Sequence, residues 1–323
     1  NDLAKYSAGC ATVENMVIYP HGAAARRPGT QYVAEVKTSA NSTRIIPFEF
    51  NTEQTYILEL GNLYMRFYRD NGQILEGNKT ITAITKANPG VITCSSHGYL
   101  TGDEINISSI VGMTELNNKR FLVVKIDANT FSLTDVDGVA INTTNFTTYG
   151  SAGTMNRVFQ ITTTYTTAEI FDLKFAQSAD VMYITHPNHQ TRKLSRTGHT
   201  TWTLAAVEFT NGPFLDTNVS TTTLTPASAG VGTGVNVTAS AVAGVNGGSG
   251  FLTTDVGRQI RIGDGYGIIT ARTNTTVVVV TVTTAFANTN ANTDWSLGAF
   301  STTTGFPSCV SFFEQRLVFA ASI

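Results

Sequence analysis

Residues 44–75, RIIPFEFNTEQTYILELGNLYMRFYRDNGQIL, read as four short strands in a meander. The first covers 45–50 and is followed by a polar turn at Asn51-Thr52-Glu53-Gln54. The second covers 56–60, closed by Gly61-Asn62, and the third 63–69, closed by Asp70-Asn71-Gly72. A fourth begins at Gln73. Aromatic and β-branched residues fill the runs, and Gly, Asn and Asp fill the gaps, which is the pattern of antiparallel strands joined by tight turns. Leu63, Met65 and Phe67 alternate with Tyr64, Arg66 and Tyr68, so the third run presents two distinct faces. A single four-stranded sheet cannot bury both faces by itself, so this blade should stack on others like it.

The same pattern echoes twice. EIFDLKFAQSADVMYIT (169–185) aligns without a gap, Phe175–Val181 falling on Phe50–Tyr56, and HPNHQTRKLSRTGHTTWTLAAVEF continues it with two more strands. VSFFEQRLVFA (310–320) is a third copy with Glu314-Gln315 as its turn. Three weak copies separated by insertions predict an all-β chain: an incomplete or interrupted β-propeller-like array of antiparallel blades with two inserted small β-domains. The expected divisions are 1–79 (N-terminal segment and first blade), 80–156 (an inserted small β-barrel), 157–215 (further blade strands), 216–298 (a second inserted β-domain) and 299–323 (the start of another blade).

Composition agrees with many short strands. Of 323 residues 41% are hydrophobic and only 14% charged, with Thr, Asn, Gly and Ser making up the difference. No convincing amphipathic helix and no apolar run of membrane-spanning length is present. The net charge of −2 speaks against a protein that wraps or reads nucleic acid, which needs a basic face. It leaves open a protein through which DNA passes. Three widely spaced cysteines (Cys10, Cys94, Cys309) predict reduced, mostly buried thiols rather than a disulfide framework or zinc knuckle. The first residue is not Met and the last run, RLVFAASI, is apolar, so the chain reads as a piece of a longer polypeptide. The uncharged stretch 217–254 reads as a floppy lead-in to strands, and the β-prone run 277–282 belongs inside a sheet or at an interface.

The search for chemistry returns little. His186 and His189 lie in HPNHQ, where Pro187 denies the helix that would bring residues three apart together, so a polar loop is expected and no metal ligands. Asp135-Val136-Asp137-Gly138 lacks the later ligands of a calcium loop, and Gly263-Asp264-Gly265-Tyr266-Gly267 lacks a phosphate-loop ending; both read as hairpin turns. Glu49, Glu59 and Glu169 are assigned to strands with outward-facing, solvated side chains. The Asn-x-Ser/Thr sequons follow from a Thr/Asn-rich composition. No catalytic residue and no cofactor is assigned. Two turn-bearing clusters remain near the start, Tyr19-Pro20-His21-Gly22 and Arg26-Arg27-Pro28-Gly29; in the second a Pro-Gly turn would present two arginines.

The runs DLAKYSAGCATVENMVIYPHGAAARRPGTQYVAEV and IIPFEFNTEQTYILELGNLYMRFYRDNG resemble the tail tubular B, or nozzle, proteins of short-tailed bacteriophages and their prophage relatives. Lys5-Tyr6, Gly9-Cys10, Glu14-Asn15 and Arg27-Pro28-Gly29-Thr30 carry the N-terminal part of that resemblance; residues 48–50 and 58–69 carry the first blade. It continues through ADVMYITHPNHQTRKLSR, DVGRQIRIGDG, Trp295-Ser296-Leu297-Gly298 and FPSCVSFFEQRLVFAAS. Within the first insertion, HGYLTGDEINISSIVGMTELNNKRFLV resembles the small β-barrel module of ubiquitin-activating enzymes, without any adenylation motif to accompany it.

The nozzle resemblance implies a non-enzymatic component of the virion tail. It would be a homohexameric ring below the tail adaptor and portal that conducts double-stranded DNA, with tail fibres as further partners and no membrane span. Arg26, Arg27, Pro28 and Gly29 are then the expected subunit or adaptor contact. The alternatives are a receptor-binding tail adhesin and a tail polysaccharide depolymerase.

Overall fold

The computed structural model describes residues 9–10, 12–51 and 54–320; Lys5, Tyr6, Thr52 and Glu53, named above, lie outside them. The chain forms two units, Asn1–Glu35 and Val36–Ile323. In the first, Met16–Ile18 pairs antiparallel with Ala24–Arg26. The Gly22 amide donates to the Tyr19 carbonyl at 3.0 Å, with Gly22 at φ +92°, so the first cluster is a turn as expected. The second is not. Pro28 has no amide with which to extend the ladder, Gly29 stays out of the left-handed region, and residues 27–30 carry no turn. The Arg27 amide donates to Asn15 O at 2.9 Å, and Arg26, Arg27, Pro28 and Gly29 are exposed.

The second unit is all-β, and among the described residues its helical segments are three single 3-10 turns. The opening meander forms over Arg44–Glu49, Thr55–Gly61, Tyr64–Arg69 and Gly72–Gln73, and Gln160–Thr162 returns to its edge beside Tyr64–Arg69. Asp70 and Asn71 sit at φ +51° and +61°, the left-handed pair that a two-residue hairpin requires. The preceding turn is shifted by one residue from the expected place. Gly61 stays in the strand, opposite Tyr64, where an added Cβ would come within 2.3 Å of the Tyr64 ring, and the turn falls on Asn62 and Leu63.

A second four-stranded meander, Lys174–Ser178, Val181–His186, His189–Gly198 and Thr201–Ala206, packs on the first. Ile46, Phe48, Tyr56, Leu58, Met65 and Phe67 from one blade meet Met182, Ile184, Leu194 and Trp202 from the other. Trp202 is the centre of this core. Its ring lies 4.3 Å from Phe67 and meets Phe48 and Tyr56 edge-on at 4.8 and 5.3 Å, geometries that the aromatic quadrupole favours. The hairpins are not superimposable as the ungapped alignment implied. The second turns tightly at Ala179-Asp180 with Ser178 opposite Val181, whereas the first pairs Glu49 with Thr55, five positions between them. Gln177 fills the difference, giving its side-chain amide to Glu49 O at 2.8 Å and accepting the Glu49 amide at 3.2 Å. The echo at 310–320 is a hairpin, Cys309–Phe313 with Arg316–Ala320, turning at Glu314 and Gln315.

Two modules interrupt the blades, each with its own core. In the first, Lys79–Thr80 and Ala83–Ile84 lie at opposite ends of a seven-stranded sheet order, yet they are neighbours in sequence. The sheet therefore curls back on itself around Ile105, Ile107, Val123, Phe131 and Met155. The second is a six-stranded sheet over Leu224–Pro226 to Trp295–Leu297, in which Val277–Thr284 is central rather than a free edge. Its lead-in is held rather than floppy: the Asn218 amide donates to Trp295 O, and its side chain donates to Ser220 O and Thr222 O. Inside, Arg258 and Asp255 form a pair with no exposed surface, 2.9 Å apart. Each module leaves its blade through a two-stranded neck, one bridged at Leu75 and Val158, the other at Phe214 and Gly298. All three cysteines are free as expected, but only Cys94 is buried. Cys10 and Cys309 are exposed.

The first module is also bound to its blade by charge. Arg66, fully buried on the face opposite Met65 and Phe67, lies 2.7 Å from the Glu104 carboxylate of the module. Arg120 meets the other Glu104 oxygen at 2.9 Å and donates to the Gln73 side-chain oxygen at 2.7 Å. Glu59, expected to be solvated, is 2% exposed. It accepts the Tyr64 hydroxyl at 2.5 Å and the Tyr68 hydroxyl on its other oxygen, and burial followed by these bonds pushes both phenols above their usual range. At the neck, Arg157 forks onto Glu76 with two 2.9 Å bonds and reaches Asp103 at 2.8 Å. Removing one partner of a buried pair strands the other. Glu104→Met, which strands the fully buried Arg66 guanidinium, should therefore lower the unfolding free energy by roughly 3–5 kcal/mol, while Glu104→Met with Arg66→Met should recover most of that loss. Urea unfolding of the two variants against the parent checks this, and equal losses would refute it.

Candidate functional site

The hairpin between Val181–His186 and His189–Gly198 turns on Pro187 and Asn188. Proline presets the backbone angle of the first turn position, which suits a two-residue connection. His186 and His189 are therefore the last cross-strand pair of the ladder and project to the same side. Their ring centroids are 5.1 Å apart. This corrects the reading of HPNHQ as a polar loop. Three residues apart on a helix is one way to juxtapose two histidines, and straddling a two-residue turn is another. His186 is buried and its Nδ1 accepts the Asn188 amide at 3.1 Å. Burial, and next the neighbouring His189, hold its pKa below the ordinary value.

Glu169 arrives from a different element. The connector that follows the strand Gln160–Thr162 is tied to the first blade, where the Leu63 amide donates to Tyr165 O at 2.9 Å and the Thr163 amide to Leu63 O at 3.0 Å. The connector then turns, because the Thr166 amide and hydroxyl both donate to Glu169 Oε2, at 2.9 and 2.8 Å, while the Glu169 amide donates to Thr166 O at 3.0 Å. Ile170 and Leu173 anchor the far side of this turn in the blade core. Glu169 is thus in a turn, half-buried, and not on a strand as expected. Its Oε1 lies 3.0 Å from His189 Nε2. Burial alone would raise the Glu169 pKa, but the Thr166 bonds and then His189 outweigh it and bring it to about 2. One potential donor atom from each of Glu169, His186 and His189 falls within 4.8 Å of the other two.

The group borders a cleft of about 410 Å³ between the second blade and the second inserted module. His189, Arg192 and Glu208 line it from the blade side, Gln259 and Phe300 from the other. Gln259 closes one wall by donating to Phe209 O and accepting the Gly212 amide at 2.6 Å. Tyr165 stacks edge-on against His189 at 5.2 Å. Its hydroxyl is buried with no partner among the described residues, and burial pushes the phenol pKa up. Of the other carboxylates weighed from the sequence, Glu49 is exposed and Glu59 belongs to the blade–module interface. Arg26, Arg27, Pro28 and Gly29 fall in the other unit, on exposed chain. The Glu169 partnership left no local signal, since it depends on which face of the second blade the connector crosses.

Comparison with known proteins adds one local assignment. The family model of the ubiquitin-activating enzyme E1 FCCH domain matches residues 87–158, inside the first inserted module. Ubiquitin-like modifier-activating enzyme 1 of Oryctolagus cuniculus is 37% identical over 82 residues, and that of Homo sapiens 35% over 82 residues. Either match covers 24% of this chain, which spans about 7% of the length of those enzymes. Among solved structures, the phage phi92 endosialidase aligns over 87% of this chain and 53% of its own, with a TM-score of 0.19 and 11% identity. That level of similarity carries no argument about function.

A hydroxyl buried without a partner costs its desolvation. Replacing Tyr165 by Phe should thus raise stability by roughly 1 kcal/mol, read as a shift of the urea midpoint at unchanged slope. A loss of stability would mean that the hydroxyl is hydrogen-bonded in solution.

Proposed function

We propose that this chain is a structural component of a short phage tail, of the nozzle type, and that its blades form part of the wall of a DNA conduit. The observation that carries the reading is mechanical. Two blades share one aromatic core, and the first module is fixed to its blade by a buried ion pair and a bridged neck rather than tethered by a loose loop. Such a body suits a load-bearing wall. The runs that resemble nozzle proteins lie in both blades and in the N-terminal unit, which supports the same reading.

Charge fits a conduit. With 21 Lys and Arg against 23 Asp and Glu, the chain has little surplus charge to neutralise phosphates, and tight grip on a duplex scales with the number of phosphates neutralised. A wall that does not grip lets DNA slide. In this reading copies assemble as a ring, six about the tail axis, between an adaptor below the portal and the distal tail, where fibres attach. The exposed Arg26–Gly29 stretch, two cations on a proline-stiffened segment, is the proposed contact with a neighbouring subunit or the adaptor.

Cryo-electron microscopy of particles containing this chain tests the proposal. Six copies coaxial with the portal around a channel of about 20 Å or more, wide enough for duplex DNA with its grooves, is the expected outcome. Three copies at a peripheral tip would overturn it in favour of the adhesin. Particles carrying Arg26→Glu and Arg27→Glu should fail to assemble this ring. Normal assembly would remove the contact from the proposal while leaving the ring intact.

A further inference from the structure

We propose that Glu169, His186 and His189 form a binding site for a divalent transition-metal ion of the zinc type. The inference is independent of the tail reading, because it rests on three side chains and their surroundings alone.

The geometry is close to what such an ion needs. Zinc bound by imidazole nitrogen and carboxylate oxygen at about 2.0–2.2 Å in a tetrahedron keeps its ligand atoms about 3.3 Å apart. Here the three donors already lie within 4.8 Å of one another. Side-chain rotation of an ångström or so closes the difference, and the backbone is held on both sides. The histidines are locked as a cross-strand pair across Pro187-Asn188. Glu169 is positioned by its own turn, with Oε2 occupied by the two Thr166 donors and Oε1 left pointing at His189.

The donor chemistry selects the ion. Two imidazoles and one carboxylate suit zinc, cobalt or nickel; calcium and magnesium take sets of oxygens. Three protein ligands also leave a coordination position open. The His189 and Glu169 side chains are 20% and 22% exposed, so the fourth position can be filled by water. Binding exchanges two existing contacts. The ion enters between His189 Nε2 and Glu169 Oε1, now 3.0 Å apart, and a proton carried on Nε2 leaves to solvent or moves to the other ring nitrogen. At His186 the Nδ1 lone pair now accepts the Asn188 amide, so the ion must displace that bond. The second exchange costs affinity, and a micromolar rather than nanomolar site is expected.

The consequence is a staple. Glu169 belongs to the connector that follows the first-blade edge strand Gln160–Thr162, and the histidines to the tip of a second-blade hairpin, so a shared ion ties the two elements together at the edge of the cleft.

The test uses the full chain, stripped with chelator and dialysed, with Cys10→Ser and Cys309→Ser to remove the exposed thiols. Titration with zinc chloride followed by calorimetry should give one equivalent per chain, and calcium or magnesium chloride should give none. Cobalt should produce the visible absorption of a four-coordinate nitrogen–oxygen site. Zinc affinity should fall at least tenfold in Glu169→Gln and again in His189→Ala, two partly exposed positions outside the hydrophobic core. Zinc should also raise the thermal midpoint of the parent by several degrees, as a ligand of the folded state does, and not that of Glu169→Gln. No binding at 100 µM zinc (on the order of ten or more times the expected dissociation constant, by mass action) would overturn the proposal. So would binding that Glu169→Gln and His189→Ala leave unchanged.

Discussion

An arginine with no exposed surface must have its charge met inside the protein, and Arg66 is met by a carboxylate from another module. That requirement organises the first half of the molecule. Arg66 alternates with Met65 and Phe67 on one strand, so the strand that builds the blade core on one side carries a cation on the other. Glu104 neutralises it and is shared with Arg120. Beside it Glu59 is held by two tyrosine hydroxyls. Buried ion pairs add little stability compared with apolar residues of the same shape, but they are intolerant of misplacement, because a shifted partner leaves a bare charge. The pair is therefore best understood as fixing where the module sits.

The necks make this economical. An insertion whose two connecting strands are hydrogen-bonded to each other, as at Leu75 and Val158 or Phe214 and Gly298, presents its blade with one short paired exit. The blade core then does not depend on what is inserted, and the module core does not depend on the blade. That independence explains how a module matching the FCCH domain of ubiquitin-activating enzymes can reside in a chain of which the match covers 24%. The connections at the necks are braced by charge at the first, where Arg157 forks onto Glu76 and reaches Asp103, and by neutral hydrogen bonds at the second, where Gln259 spans Phe209 and Gly212.

Period-2 patterning made the strands and hairpins legible. Residues 44–75 form the meander their alternation implies, and the turns at Asp70-Asn71 and Glu314-Gln315 fall where Asn, Asp and charged residues interrupt it. What alternation could not convey is what covers the second face of a strand. Glu59 reads as solvated because charged residues usually are, whereas it is buried under the Tyr64 and Tyr68 hydroxyls beside the Arg66–Glu104 pair that the inserted module brings to this face. The Pro-Gly at 28–29 failed for a related reason. A turn needs its flanks to pair, and Pro28 ends the pairing of the strand before it. His186 and His189 stand out in the sequence, but a helical spacing rule does not reach their juxtaposition, which comes from straddling the two-residue turn at Pro187-Asn188. Glu169 lies beyond any local reading; its place depends on the path of a connector across an assembled blade.

The covering of that second face also constrains how the array can grow. In a propeller each blade is flanked by a blade on either face, and the ring closes only if every face finds such a neighbour. The first blade has spent one face on the second blade, through Trp202, and the other at Arg66 on the inserted module. Another blade cannot cover that part of the face without uncovering a buried guanidinium, although Ile45 and Ile57 on the neighbouring strands of the same face stay exposed. The second blade differs. Tyr183, on its outer face, meets Phe312 and Phe319 of the Cys309–Phe313 and Arg316–Ala320 hairpin, the next copy of the motif. Blade-on-blade packing therefore continues on the outer face of the second blade, while the module occupies only the part of the first blade's outer face around Arg66.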